Sequence, residues 1–191
     1  MAKGQHEILS AVMIMGILIG VVGSVYMWGL PLIQKNKDVS VMEKAEGFMH
    51  SLADEIKYVA GSSGKKTIKI DAPGMLSIGY GAVELRIETQ GTKYSTEGDV
   101  PLGRNGCNAN QGRWGIDDPE VVCVRANKLG DSNYVITYSL KFIQLDAGGK
   151  SYKISLTGSG TGSTEHSILI ENKGTTRGID LINTEISISI V

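Results

Sequence analysis

A chain of 191 residues has room for one ordinary domain and an appendage, and its 41% hydrophobic and 20% charged content places it among chains that fold. A net charge of −1 excludes the general electrostatic affinity of a nucleic-acid or anionic-lipid binder, so no nucleic-acid partner is expected. The apolar residues are unevenly spread: the strongly hydrophobic block lies in residues 1–33, and the remainder is a polar chain rich in Gly, Ser, Thr, Ile and Val.

The first element reads KGQHEILSAVMIMGILIGVVGSVYMWGL, residues 3–30. Residues 8–28 carry no charge, and at about 1.5 Å per residue they span roughly 30 Å, the hydrocarbon thickness of a bilayer. Tyr26 and Trp28 fall at the far end, where amphipathic rings favour the lipid–water boundary, and Lys35 and Lys37 mark re-entry into water. Gly16 and Gly20 form a GxxxG with Gly23 one turn on, a spacing that lets helix backbones approach closely in an apolar medium. An ordinary secretory signal is cut behind its apolar stretch; here the small-residue site stands in front of it.

Gly29 and Pro31 are expected to kink or melt the helix, because proline lacks an N–H and clashes with the preceding turn. Ser40 and Glu43 have the spacing of a capping box and predict a restart. Val41, Ala45, Phe48, Leu52, Ile56 and Val59 then recur at intervals of three and four, one face of an amphipathic helix that packs on the domain to follow. Gly61 and Gly64 end it.

Alternation of period two dominates from residue 65 on and predicts eight short strands: 67–70, 75–80, 82–88, 121–126, 134–145, 152–156, 166–171 and 185–191. FIQLDAGGKSYKISL signals a hairpin that bends at Ala147, Gly148 and Gly149. Strands without intervening helix imply an antiparallel sandwich or barrel, and a strand running to Val191 must be paired rather than left as an open edge.

Cys107 and Cys123 enclose the irregular stretch NANQGRWGIDDPEVV. A bridge there, with two buried thiols as the alternative, would stabilise by about 3 kcal/mol in the chain-entropy model. It would also place the strand domain in an oxidising space outside the cytoplasm, with the amino end inside. No catalytic constellation is legible. His6, His50 and His166 fall in three unrelated contexts, so no enzyme, cofactor or metal is expected. TGSGTGSTE, residues 157–165, lacks the lysine of a phosphate loop and leads from strand to strand, which predicts a flexible turn. The carboxylates of IDDPE, residues 116–120, lack calcium-loop spacing and read as a solvated turn.

A short leader ending in Lys3 and Gly4, then Gln5, an acidic residue and a long apolar helix resembles the type IV pilin superfamily. The junction is most similar to the class III signal of archaeal pilins, relatives of archaellins. The resemblance covers residues 3–33. It implies cleavage between Gly4 and Gln5 by a membrane peptidase on the cytoplasmic side, leaving a leader of residues 1–4. It further implies a membrane and filament-core helix over residues 5–64 and an extracellular β-sandwich head, Ig-like or archaellin-like, over residues 65–191. The fold class is then α+β. Glu7 would match the acidic residue that neutralises a neighbour's new amino terminus. It departs from the family pattern, standing third in the mature chain rather than fifth. Gly16, Gly20 and Gly23 would permit tight approach in the filament core. The implied partners are copies of the chain, a prepilin peptidase, the pilus assembly machinery and, before assembly, the membrane. The implied role is adhesion or motility. The other reading is a non-polymerising, membrane-anchored extracellular β-domain.

Overall fold

The computed structural model describes residues 3–79, 81–130 and 133–191, with side chains from residue 10 onward. The chain divides into two compact units, Met1–Lys37 and Asp38–Val191. One helix, α1 (Lys3–Ser62), has Pro31 inside it. The melted turn expected at Gly29 and Pro31 is therefore absent, and Ser40 is a helix-interior residue rather than a cap. The missing proline N–H forfeits a single bond to the carbonyl four residues back, which a long helix can absorb.

Twelve strands follow: β1 (Lys65–Lys69), β2 (Met75–Gly79), β3 (Ala82–Thr89), β4 (Asp99–Pro101), β5 (Gln111–Arg113), β6 (Glu120–Leu129), β7 (Asn133–Phe142), β8 (Gln144–Asp146), β9 (Ser151–Thr157), β10 (Gly160–Gly162), β11 (Ser167–Arg177) and β12 (Leu181–Ile190). The eight expected strands are all present, although the run 134–145 is divided between β7 and β8, and Tyr80 lies outside the described residues. Two six-stranded sheets form a sandwich-like head, in the orders β1-β11-β12-β9-β8-β5 and β10-β2-β3-β7-β6-β4. The head is antiparallel-rich. Two ladders are parallel, β9 with β12 and β5 with β8, a detail that alternation within a strand does not encode. The final strand, β12, is paired on both sides and offers no open edge. The exposed edge β1 reads KKTIK, and its lysines oppose pairing with another chain.

The second half of α1 belongs to the head. Ala45, Met49, Leu52 and Ile56 are fully buried and join one core with both sheets. The expected stripe is correct for Ala45, Phe48, Leu52, Ile56 and Val59, while Met42, Met49 and Ala53 widen it and Val41 is only partly buried. The compact unit of the head starts at Asp38, so it includes the part of α1 that packs with both sheets.

β6 reads as a continuous apolar run for a physical reason. Val122, Val124 and Ala126 face the main core. Val121 and Cys123 point the other way, into a second small cluster with Ile143 and Leu145, against which Cys107 and Ala109 pack. The Cys107–Cys123 disulfide, with Cα atoms 5.8 Å apart, fixes the loop there.

The expected flexible turn at residues 157–165 is corrected. It contains β10, which pairs with β2 and carries the chain from one sheet to the other. Gly158 has φ +134°, and a Cβ there would collide with the Ile188 carbonyl oxygen of β12. The glycines of this stretch serve close backbone approach.

Candidate functional site

Two surfaces of the chain call for a function: the first half of α1 and the open end of the head. In the first, large apolar side chains from Val12 through Ile33 are between 54% and 88% exposed. None of the apolar window is buried within the protein, so this is not the core helix of a soluble domain. The helix is long and apolar enough to cross a membrane and lies near the amino terminus. Helix α1 starts with residues whose side chains, Gly4, Gln5 and Glu7 included, are outside the described set, so the leader site and the acidic position have no side-chain geometry here. The leader residues Met1 and Ala2 are likewise outside it.

Gly16, Gly20 and Gly23 do lie within the described helix. A Cβ built at any of them meets nothing within 4 Å. No contact inside the described chain therefore requires glycine there. Ser24 satisfies its own hydroxyl by donating to the Gly20 carbonyl oxygen at 2.7 Å. This back-bond leaves no unpaired donor on the side chain, which suits an apolar surrounding.

In the head, a polar network ties α1 to the second sheet. The Tyr138 hydroxyl, fully buried on β7, donates to the Met42 carbonyl oxygen at 3.0 Å. It also lies 3.1 Å from the Tyr94 hydroxyl, which is 3.0 Å from a Glu46 carboxylate oxygen. Lys93 donates to the same oxygen at 2.9 Å. Burial drives the Tyr138 phenol up to about 12. Burial, the Tyr138 hydrogen bond and Glu46 together raise the Tyr94 phenol as well. For Glu46, burial would raise the carboxyl, but the bonds from Lys93 and Tyr94 outweigh it and hold the group below its ordinary value. These residues are distant in sequence, and no local pattern announces them.

The carboxylates of residues 116–120 do separate jobs rather than converging. Asp117 accepts the Arg113 backbone N–H at 2.7 Å. Glu120 accepts from Lys57 at 2.6 Å, while its second oxygen is buried without a hydrogen-bond partner. Asp54 also pairs with Lys57, and although burial alone would lower the ammonium, the two carboxylates raise it. Among the described residues, no three His, Cys, Asp or Glu side chains are grouped to hold a metal ion.

No family model, curated protein or solved structure matches the chain.

The second surface is a cavity of about 320 Å³ at the end of the head where α1 stops, walled by Trp114 and Tyr152, whose ring centroids are 4.5 Å apart. Sequence reading passed over it, because Trp114 stands in an irregular loop and Tyr152 in an unremarkable strand. The exposed helix, by contrast, has only one chemistry. It demands an apolar surrounding, which lipid supplies and which a bundle of similar helices supplies equally well.

Proposed function

We propose that the chain is a structural subunit, a pilin, of an archaeal type IV pilus-like surface filament that assembles through its amino-terminal helix and serves adhesion or motility. The observation that carries this reading is the contrast along α1: its second half is sealed in the head's core, and its first half is bare from Val12 to Ile33. A membrane can cover that surface before assembly and copies of the chain can cover it afterwards. The open glycines at 16, 20 and 23 support the second stage, since small residues on such a surface permit close helix approach. The disulfide is compatible with a head outside the cytoplasm. Head-to-tail contacts that do not close into a ring would extend the assembly into a filament.

The test has two arms. Amino-terminal sequencing of the mature protein should begin at Gln5; an intact Met1 or a start beyond Leu30 rejects the leader assignment. Gly20→Leu should abolish or sharply reduce filaments on the producing cell while the head melts as before. Normal filaments from that variant would remove the helix contact. The competing reading, an anchored ectodomain that never polymerises, leaves the helix in lipid and predicts that Gly20→Leu has no phenotype.

A further inference from the structure

The open end of the sandwich is built like core but is not filled. β9 and β12 run parallel with Tyr152 opposite Ile182 and Ile154 opposite Thr184, in the same alternation that deeper in the head places Leu156 opposite Ile186. Leu156 and Ile186 are buried in the core, whereas the pairs nearer the end are only half-covered. The reason lies across the cavity: α1 reaches it with Ala60 and Gly61, residues too small to cover a facing sheet. Trp114 tilts onto Tyr152 and forms the remaining wall. Lys57 and Lys153 are part of the lining, and Lys153 is exposed without an ion pair among the described residues. Lys57 is already paired with Asp54 and Glu120, so Lys153 is the unpaired cation at the margin, and an apolar cavity beside it suits an occupant carrying an apolar group next to an anionic one.

The chain itself presents such a group. The turn between β11 and β12 holds Ile179, which at 92% exposure is the barest large apolar side chain described, followed directly by Asp180. The turn is tied down: the Gly178 N–H donates to the Leu181 carbonyl at 2.8 Å, and the Ser151 N–H donates to the Asp180 carbonyl at 2.7 Å. A held turn loses little conformational freedom on docking. Its exposure also means that Ile179 does not fill the cavity of its own chain.

We propose that the turn bearing Ile179 and Asp180 docks into the open end of the head of a second copy, Ile179 against Trp114 and Tyr152 and Asp180 toward Lys153. Polarity and charge are complementary: an apolar side chain for an apolar cavity, one carboxylate for an unpaired ammonium. The contact goes beyond the filament reading, since it needs two heads and no polymer.

The test uses full-length chains in phosphatidylcholine vesicles. Ile179→Cys and Thr184→Cys proteins are co-reconstituted and mildly oxidised. A reducible dimer containing one chain of each is expected, and neither variant alone should reach that yield. Ile179→Asp should weaken self-association by roughly tenfold to a hundredfold without moving the melting temperature, because that side chain is exposed in the single chain. Absence of the mixed dimer when both thiols react freely with maleimide overturns the proposal, as does unaltered association of Ile179→Asp. Quenching of Trp114 by a micromolar alkyl sulfate without any mixed dimer would assign the cavity to an amphiphile and overturn it too. Success here alongside a failure to find filaments on cells would refute the pilin reading and leave this contact standing.

Discussion

Two isoleucines on one helix measure how α1 is divided. Ile56 is fully buried between the sheets, and Ile19 is 72% exposed. Ile56→Ala removes three carbons, about 2.4 kcal/mol of transfer free energy at about 0.8 kcal/mol each. The void adds a cavity cost of about 1–2 kcal/mol, because α1 is held on two sides by sheets and cannot collapse onto it. The sum is about 3.4–4.4 kcal/mol. For a head of the size of Asp38–Val191, each kcal/mol lowers the melting temperature by about 2–4 °C, so a drop of roughly 7–18 °C is expected. Ile19→Ala should cost the head less than about 0.5 kcal/mol. Near-UV circular dichroism of both full-length variants in detergent, followed through the thermal transition, reads the difference. Equal shifts for the two, or an Ile56→Ala transition within about 2 °C of the parent, would refute the assignment of the second half of α1 to the core.

Reducing the Cys107–Cys123 bridge, 16 residues apart in sequence, should destabilise the head by about 3 kcal/mol. Urea unfolding with and without reductant checks this, and coincident curves would contradict it. Tyr138 is raised to about 12 by burial, above the ordinary phenol value near 10. The stability it contributes is therefore complete below about pH 10 and lost as pH climbs through about 12. Spectrophotometric titration should show Tyr138 and Tyr94 ionising late, together with unfolding, and Tyr138→Phe should cost about 0.5–1.5 kcal/mol by removing the hydrogen bond to the Met42 carbonyl, which keeps its intrahelical partner. Gly158→Ala should prevent stable folding of the head, because the added methyl meets the Ile188 carbonyl oxygen of β12. A soluble variant that melts normally would mean the crossing into β10 is looser than described.

Local patterns announced most of the fold, for identifiable reasons. The run of residues 8–28 is marked by its uncharged length, and the stripe through Ala45, Leu52 and Ile56 and the strands by their periodicity. What failed was punctuation. Pro31 suggested a kink or a melted turn, and the helix of 60 residues runs through it without melting, since one lost hydrogen bond is a small cost against that length. TGSGTGSTE suggested slack, whereas its glycines are required by the backbone of β12, which only the assembled sheets bring near. The Tyr138, Tyr94, Glu46 and Lys93 network and the Trp114 and Tyr152 cavity join residues far apart in the chain, so no spacing rule could have found them. The repeat of Gly16, Gly20 and Gly23 is visible in the sequence, but the described chain gives those positions no contact.

The most direct measurement is a helical reconstruction of lipid-free material sheared from the producing cell's surface. A filament subunit should place Val12 to Ile33 in a central rod of packed helices, with backbones closest at Gly16, Gly20 and Gly23. Recovery of the protein solely in membranes, with that segment sheathed in lipid or detergent and no polymer formed, would contradict it.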